Sequence, residues 1–456
     1  MKNIGFMTIG NFASKMMGFI LIPLYTTKLT TTEYGIADLI FTTISLLMPI
    51  FTLEINEAVL RFTLNQKENC TYFSIGVCST IVSILLFTIF SPILLIFDEF
   101  RTYYFLVLIL YATNVLYVCF SQYAKGIDRV KEYSIGGFLN TFFVALLNVL
   151  LLVFCDLKIE GYLLSYIIGY VISSLYLMYV LKINTKIISY KFIRVEVLKE
   201  MLRYSVPLIP NAICWWINNS ADKYILAIFC NTSIVGIYSI SYKIPSLLSV
   251  VSSIFFSAWQ ISAVEKFGTE ENRVFYSRIF RIFILLISTV CLVLVSGSQM
   301  LAKLLYANDF YGAWKYSIIL IVAFMYNSLS SFMGTIYTSS KKTKMLLISS
   351  LMGAAVNIIL NFVLIPISGA WGAAIATLVS YILTFIIRCI DTRKILKLNV
   401  NKAESLLLIG IVFIALILMS LQIKFSVLIC ALLCIGTISY LSVIGYRLVK
   451  SVKGKK

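Results

Sequence analysis

YFSIGVCSTIVSILLFTIFSPILLIF, residues 72–97, runs for 26 residues without a charge. A helix rises 1.5 Å per residue, so about 20 such residues cross the roughly 30 Å of hydrocarbon in a bilayer. The stretch is long enough to span. Five residues further on a second uncharged run begins, YYFLVLILYATNVLYVCFSQY at 103–123, and so short a connector makes the two an antiparallel helical pair. Working outward in both directions, apolar runs of similar length, several with an isolated charge, recur at 4–27, 35–58, 134–155, 161–181, 206–229, 234–261, 282–300, 314–337, 345–365, 371–389, 405–421 and 425–444. The expectation is an all-α polytopic membrane protein with about fourteen transmembrane helices. Bulk composition agrees, at 60% hydrophobic residues, 13% charged residues and a mean hydropathy of +0.94, far from soluble averages.

An even number of crossings puts both termini on one side, and the basic residues say which. Of 38 Lys and Arg, 29 fall in the N-terminus, the even-to-odd connections and the C-terminal tail. The opposite connections hold only Lys28, Arg101, Lys158, Lys303 and Lys424, while Lys15, Lys223, Lys243 and Lys315 lie within or at the edges of the runs. Lys and Arg mark cytoplasmic loops, so both termini are expected in the cytoplasm. The net charge of +18 is then a topology signal with some attraction to anionic headgroups, and no nucleic-acid partner is needed to explain it. The first run carries Lys15 and lacks a small-residue cleavage site, so it is expected to remain as helix one.

Several chemistries are disfavoured. Ten cysteines are scattered without a C-x-x-C pair and there is no histidine, so no metal site is expected and any proton traffic must use carboxylates or water. The outer connections are about a dozen residues or shorter, too short for the large outer loop on which a glycan polymerase or lipid-dependent glycosyltransferase would carry its acids and arginines. No enzyme and no cofactor are expected.

The longest inner connection, 183–203, is basic and amphipathic; it suits a helix lying on the membrane surface or a solvated linker. It divides an N-terminal lobe of helices one to six (1–182) from a second lobe of helices seven to twelve (204–390), with helices thirteen, fourteen and a basic tail in 391–456. A weak repeat supports the division: TEYGIADLIFTTISL from Thr32 aligns with SIVGIYSISYKIPSL from Ser233, placing Gly35 on Gly236. Because the offset spans six helices, the two lobes are expected to be related by a pseudo-two-fold along the membrane normal.

Charges inside the membrane carry the functional expectation, since each costs about 2.5 to 3.5 kcal/mol near a helix centre. Asn11, Lys15 and Gly18 share one face of helix one, and Asp38, Thr42, Ser45 and Pro49 one face of helix two. Asn211, Trp215, Asn218 and Asp222 form a stripe on helix seven, with Asn219 and Lys223 beside it. Tyr238, Tyr242 and Pro245 share a face of helix eight, with Lys243 next to Tyr242. Asp222 and Lys243 should lie at similar depth across the outer turn, so Asp222 either pairs with Lys243 or another lysine to lock the hairpin or belongs to a cation-lined cavity. Glu57 and Arg61 have the spacing of an ordinary i, i+4 pair and read as structural. Asn357 and Asn361, and the NSLSS run from Asn327, fit interhelical packing better than sugar contact.

Three stretches together resemble the polysaccharide repeat-unit flippases, the Wzx group of the multidrug/oligosaccharidyl-lipid/polysaccharide exporter superfamily: NFASKMMGFILIPLYTTKLTTTEYGIADL from Asn11, YSVPLIPNAICWWINNSADKYILAIF from Tyr204 and GIYSISYKIPSLL from Gly236. The resemblance implies a two-lobed protein of the bacterial inner membrane that moves an undecaprenyl-pyrophosphate-linked oligosaccharide outward. Lys15, Lys223 and Lys243 would meet the pyrophosphate, and Asn11, Trp215, Asn218, Tyr238 and Tyr242 the sugars. Asp38 and Asp222 would couple transport to protons or sodium. Expected partners are the lipid-linked cargo, membrane lipids, a glycan polymerase and other polysaccharide-assembly proteins. Alternatives are a drug or cation antiporter of the same superfamily, whose cavity should favour acids over lysines, and a flippase for the peptidoglycan lipid precursor.

Overall fold

The computed structural model describes residues 17–64, 70–183, 194–268, 272–340, 342, 344–423 and 425–453. Among them every regular element is helical, because backbone polar groups in hydrocarbon must find partners within their own segment. Twelve helices among the described residues are long and apolar enough to cross a bilayer, making this a multi-pass helical membrane protein. Most of the first expected crossing lies outside the described residues. The seventh is present as a 21-residue helix, Ile209–Phe229, but Asn211, Asn218, Asn219, Asp222 and Lys223 leave it too polar to be one of the twelve.

The chain forms two compact units, Met1–Ser220 and Ala221–Lys456. The first contains α1 (Ile22–Lys28), α2 (Thr31–Thr52), α3 (Ile55–Thr63), α4 (Cys70–Phe90), the short α5 (Asp98–Arg101), α6 (Tyr104–Gly126), α7 (Val130–Val149), α8 (Lys158–Val180), α9 (Val195–Ser205) and the start of α10 (Ile209–Phe229). A capping box starts α2: Thr30 Oγ1 accepts from the Glu33 N–H at 3.2 Å, and the Glu33 carboxylate accepts from the Thr30 N–H at 2.8 Å. The helix does not run unbroken through 35–58 as expected. Leu53 and Glu54 take φ of 52° and 54°, a left-handed pair that ends α2 and restarts the chain as α3. Nor does Glu57 pair with Arg61; its carboxylate accepts from Gln122 of α6, whose own carbonyl accepts from Lys125 at 3.1 Å.

The amphipathic connection is helical over its described part. Its described part, α9, turns Val197, Leu198, Met201 and Leu202 onto Ile55, Val59 and Tyr72 of α3 and α4. Protein covers this part of the apolar face, leaving Glu196, Lys199, Glu200 and Arg203 outward, so the helix braces the first unit.

The second unit continues with α11 (Thr232–Ser241), α12 (Lys243–Lys266), α13 (Asn272–Leu305), α14 (Trp314–Ser339), α15 (Lys344–Ser368), α16 (Ala370–Thr392), α17 (Lys402–Ser420) and α18 (Ser426–Lys453). Helix α14 is its core, packed against α12, α13, α16 and α17; Ser328 on it meets Ser252 of α12 at 2.7 Å. Helices α15 and α16 touch through glycine, since lipid gives no hydrophobic drive and small residues allow close packing. A β-carbon on Gly353 would overlap Thr384 Oγ1 of α16, while Thr384 Cβ stays 3.6 Å away. Gly353→Ala is therefore expected to cost about 1–3 kcal/mol, and Thr384→Ala to recover most of it. A thermal-denaturation double-mutant cycle in detergent measures the coupling; additive losses would refute the contact.

Candidate functional site

Two residues, Cys230 and Asn231, separate α10 from α11, so the helices turn back on each other and bring equal distances from the turn to equal depth. Asp222 lies seven residues before the end of α10 and Tyr238 six after the start of α11. They meet. Asp222 is 2% exposed, and its Oδ2 accepts from Tyr238 Oη at 2.9 Å and from Tyr242 Oη at 2.7 Å. Its Oδ1 accepts from the Lys223 N–H at 2.9 Å. The rings of Tyr238 and Tyr242 stand edge to face with centroids 5.3 Å apart, and Lys223 Nζ lies 5.8 Å from the centre of the Tyr242 ring, within cation–π range. Tyr242 sits at the junction where α11 stops and α12 begins. The expected continuous helix 234–261 is thus two segments, with Pro245 just past the joint.

The polar cluster continues into α16 and α15. Helix α11 packs on α16, where Thr377 accepts from Asn357 Nδ2 at 3.5 Å; Asn357 Oδ1 accepts from Asn361 Nδ2 at 2.9 Å. Asn361 is fully buried, and its Oδ1 has no hydrogen-bond partner among the described residues. Both asparagines are interior groups, in keeping with packing and not with sugar contact.

Chemically the centre is a carboxylate taken out of water, and such a group is tolerable only where donors surround it. Three donors do: two hydroxyls and a backbone N–H. A proton added to Oδ2 would displace a tyrosine O–H, whereas Oδ1, with one donor, has room for a proton beside its existing contact. These two tyrosines, expected from sequence to meet sugars, have a protein partner: Tyr238 is fully buried, and each hydroxyl donates its proton to Asp222.

The other expected residues are more dispersed. Lys243 is half-buried at the first residue of α12 and forms no ion pair with Asp222 among the described residues; the tyrosines, not Lys243, close the hairpin. Lys223 is half-buried beside the cluster. Lys15 and Asn11 lie outside the described residues. Trp215 is 57% exposed, and Asn218 Nδ2 turns back onto the Cys214 carbonyl of its own helix at 3.0 Å. The neighbouring Trp216 is the anchored one, its Nε1 donating to the Thr42 carbonyl of α2 at 2.9 Å. Asp38, half-buried on α2, belongs to the first unit, where Thr42 Oγ1 donates to its backbone carbonyl at 2.6 Å.

Arg388, near the end of the 371–389 run, lies within α16 and not in the connection after it, and is 7% exposed. Its Nε donates to Ser349 Oγ at 2.9 Å, Nη1 to the Ser330 carbonyl at 3.0 Å and Nη2 to Ser350 Oγ at 2.8 Å. One turn later Asp391 accepts from Tyr337 Oη at 3.0 Å and pairs with Lys394 at 3.3 Å. One guanidinium thus joins α14, α15 and α16. The signal was present, a lone charge inside the 371–389 run. Arg388→Lys keeps the charge and loses the planar fork, and is expected to lower stability by about 1.5–3 kcal/mol, read as a lower Tm in detergent; an unchanged Tm would refute the clamp.

The sequence model of a family described as "Polysaccharide biosynthesis protein" matches residues 1–260. A comparison with curated proteins finds no match. Among solved structures, the lipid II flippase MurJ in an inward closed conformation superposes with a TM-score of 0.74 over 97% of this chain and 98% of its own, at 15% identity. An inward-facing multidrug resistance MATE family transporter of the MOP superfamily gives 0.63 over 84% and 95%, also at 15%. A MOP superfamily transporter from Pyrococcus furiosus gives 0.57 over 86% and 96%, at 15%. Identities this low speak for the fold alone. The family match, by contrast, is a match of sequence over more than half the chain, and it takes in the whole hairpin of Asp222, Tyr238 and Tyr242. A helical membrane protein with a MurJ- and MATE-like fold, the chain belongs to the polysaccharide biosynthesis protein family.

Proposed function

We propose that the protein flips an undecaprenyl-pyrophosphate-linked oligosaccharide repeat unit from the cytoplasmic to the outer face of the bacterial plasma membrane, by alternating access and without covalent chemistry. The product would feed O-antigen, capsule or exopolysaccharide assembly alongside a glycan polymerase. The observation that carries this is the pairing of a polysaccharide-family match with a fold that a lipid II flippase shares over 97% of the chain. The distribution of basic residues supports cytoplasmic termini in this reading.

Within this mechanism Lys15, Lys223 and Lys243 meet the pyrophosphate, whose charge is the part of the cargo least able to cross hydrocarbon. Asn11, Asn218 and Trp215 meet the sugars. Asp222 is the coupling group, with Tyr238 and Tyr242 holding its carboxylate, and Asp38 is a second candidate in the first unit. The test is protection of a lipid-pyrophosphate-linked oligosaccharide in proteoliposomes, read with a membrane-impermeant sugar-modifying reagent. Protein should speed the loss of protected cargo, and Lys223→Gln and Lys243→Gln should each slow it about fivefold or more. Wild-type rates in both variants would remove the lysines from the mechanism.

A cation antiporter remains the second reading, favoured by one observation: the most buried charge of the cluster is the acid Asp222, while Lys223 and Lys243 are half-buried. Cation-driven efflux of a small organic cation, with no movement of lipid-linked sugar, would establish it.

A further inference from the structure

Helix α13 has 34 residues, about 51 Å of helix against roughly 30 Å of hydrocarbon. Its first turns therefore extend to headgroup level, and there they carry Arg273, Arg278 and Arg281. With Ser277 and Asn399 these arginines line a cavity of about 460 Å³. Ser277 fixes its wall, donating to the Arg273 carbonyl at 2.6 Å and accepting from the Asn399 N–H at 2.8 Å.

Arg281 closes one side. Its Nε lies 2.8 Å from Glu404 Oε2, and Glu404 Oε1 accepts from Tyr440 Oη at 2.9 Å. Glu404 and Tyr440 also line a second cavity, of about 520 Å³, between α17 and α18; its remaining walls are chiefly apolar, among them Leu407, Leu408, Ile411 and Leu432. A basic cavity and an apolar cleft thus share one wall. Glu404 balances Arg281, whereas neither Arg273 nor Arg278 has a carboxylate partner among the described residues. The compartment on one side asks for an anion and the compartment on the other for a hydrocarbon chain.

We propose that this composite site binds an acidic phospholipid, its phosphodiester headgroup between Arg273 and Arg278 and one acyl chain along the cleft of α17 and α18. Basic pockets between membrane helices recognise anionic lipid heads in this way. A free phosphate would satisfy the arginines and leave the cleft without an occupant. The proposal is independent of what the protein transports, because both cavities lie outside the Asp222 cluster.

The test uses the full chain in nanodiscs, with binding of phosphatidylglycerol and phosphatidylcholine measured by native mass spectrometry. Glu270 and Glu271, which lie outside the described residues, are left unchanged. The double variant Arg273→Gln/Arg278→Gln should bind phosphatidylglycerol about 25-fold more weakly, at about fivefold per arginine, with phosphatidylcholine unaffected. Gly436→Phe, placed in the cleft lining where an added β-carbon meets nothing within 4 Å, should weaken the same lipid without changing any charge. Unchanged affinity in the double variant would overturn the proposal. So would equal displacement of the lipid by inorganic phosphate, which would make the ligand a soluble anion, or one-for-one displacement by a polyprenyl pyrophosphate, which would give the site to cargo.

Discussion

Asp222→Asn is expected to leave the α10–α11 hairpin folded and to abolish the response of transport to an ion gradient. Asparagine keeps the shape and still offers an oxygen to Tyr238 and Tyr242, but it can neither take up a proton nor balance a cation. Transport in proteoliposomes under imposed proton or sodium gradients should fall to the ungraded rate, whichever ion is applied. Tyr242→Phe removes one hydrogen bond to the carboxylate, a contact worth about 1.5–3 kcal/mol, so a roughly tenfold to hundredfold change in the ion concentration for half-maximal rate is expected. Asp222→Ala is a different experiment: it strands two buried hydroxyls at about 1–3 kcal/mol each and should depress Tm. A gradient response in Asp222→Asn equal to the parent would end the coupling role.

Gly372→Ala should be the most damaging single-methyl change in the second unit. A β-carbon there would overlap the Leu364 carbonyl and come within 2.9 Å of the Ile365 nitrogen. These are backbone atoms of α15, so no rotamer change relieves the clash, in contrast to Gly353, whose obstacle is a threonine hydroxyl. The expected loss is about 3 kcal/mol, the upper end of ordinary overpacking, seen as a fall in Tm and in monodisperse yield. A variant as stable as its parent to within about 0.5 kcal/mol would mean that α15 and α16 can part at this point.

The fold was legible because lipid leaves so few solutions. Uncharged runs such as 72–97 and 103–123 had to be helices, and they are α4 with its 3₁₀ extension and α6. Breaks were less visible. The α2–α3 interruption falls at Leu53 and Glu54, neither a residue that favours the left-handed region, and Pro49 only hints at it. For α9, the amphipathic period shows that one face must be covered but not whether lipid or protein covers it. Of the site, the sequence singled out Asp222, Tyr238 and Tyr242 from their faces and depths. What it could not supply was the partner of each: a lysine was the natural counterpart for a buried acid, and two hydroxyls took that place. Arg388 escaped because proximity to a loop in sequence hid its position within a helix. Trp216 escaped because its neighbour, not itself, lay on the polar stripe.

The left-handed pair at Leu53 and Glu54 has a mechanical meaning. Two consecutive residues in that region interrupt the i to i−4 ladder, so torque about α2 is not passed on to α3. Below the interruption, α3 is bolted to α4, α6 and α9; above it, α2 is held by Trp216 at Thr42. The interruption gives one run of chain two separate footings: the α3 stub is set among α4, α6 and α9, and α2 rests on α4, α6 and α8 with Trp216 as its tether.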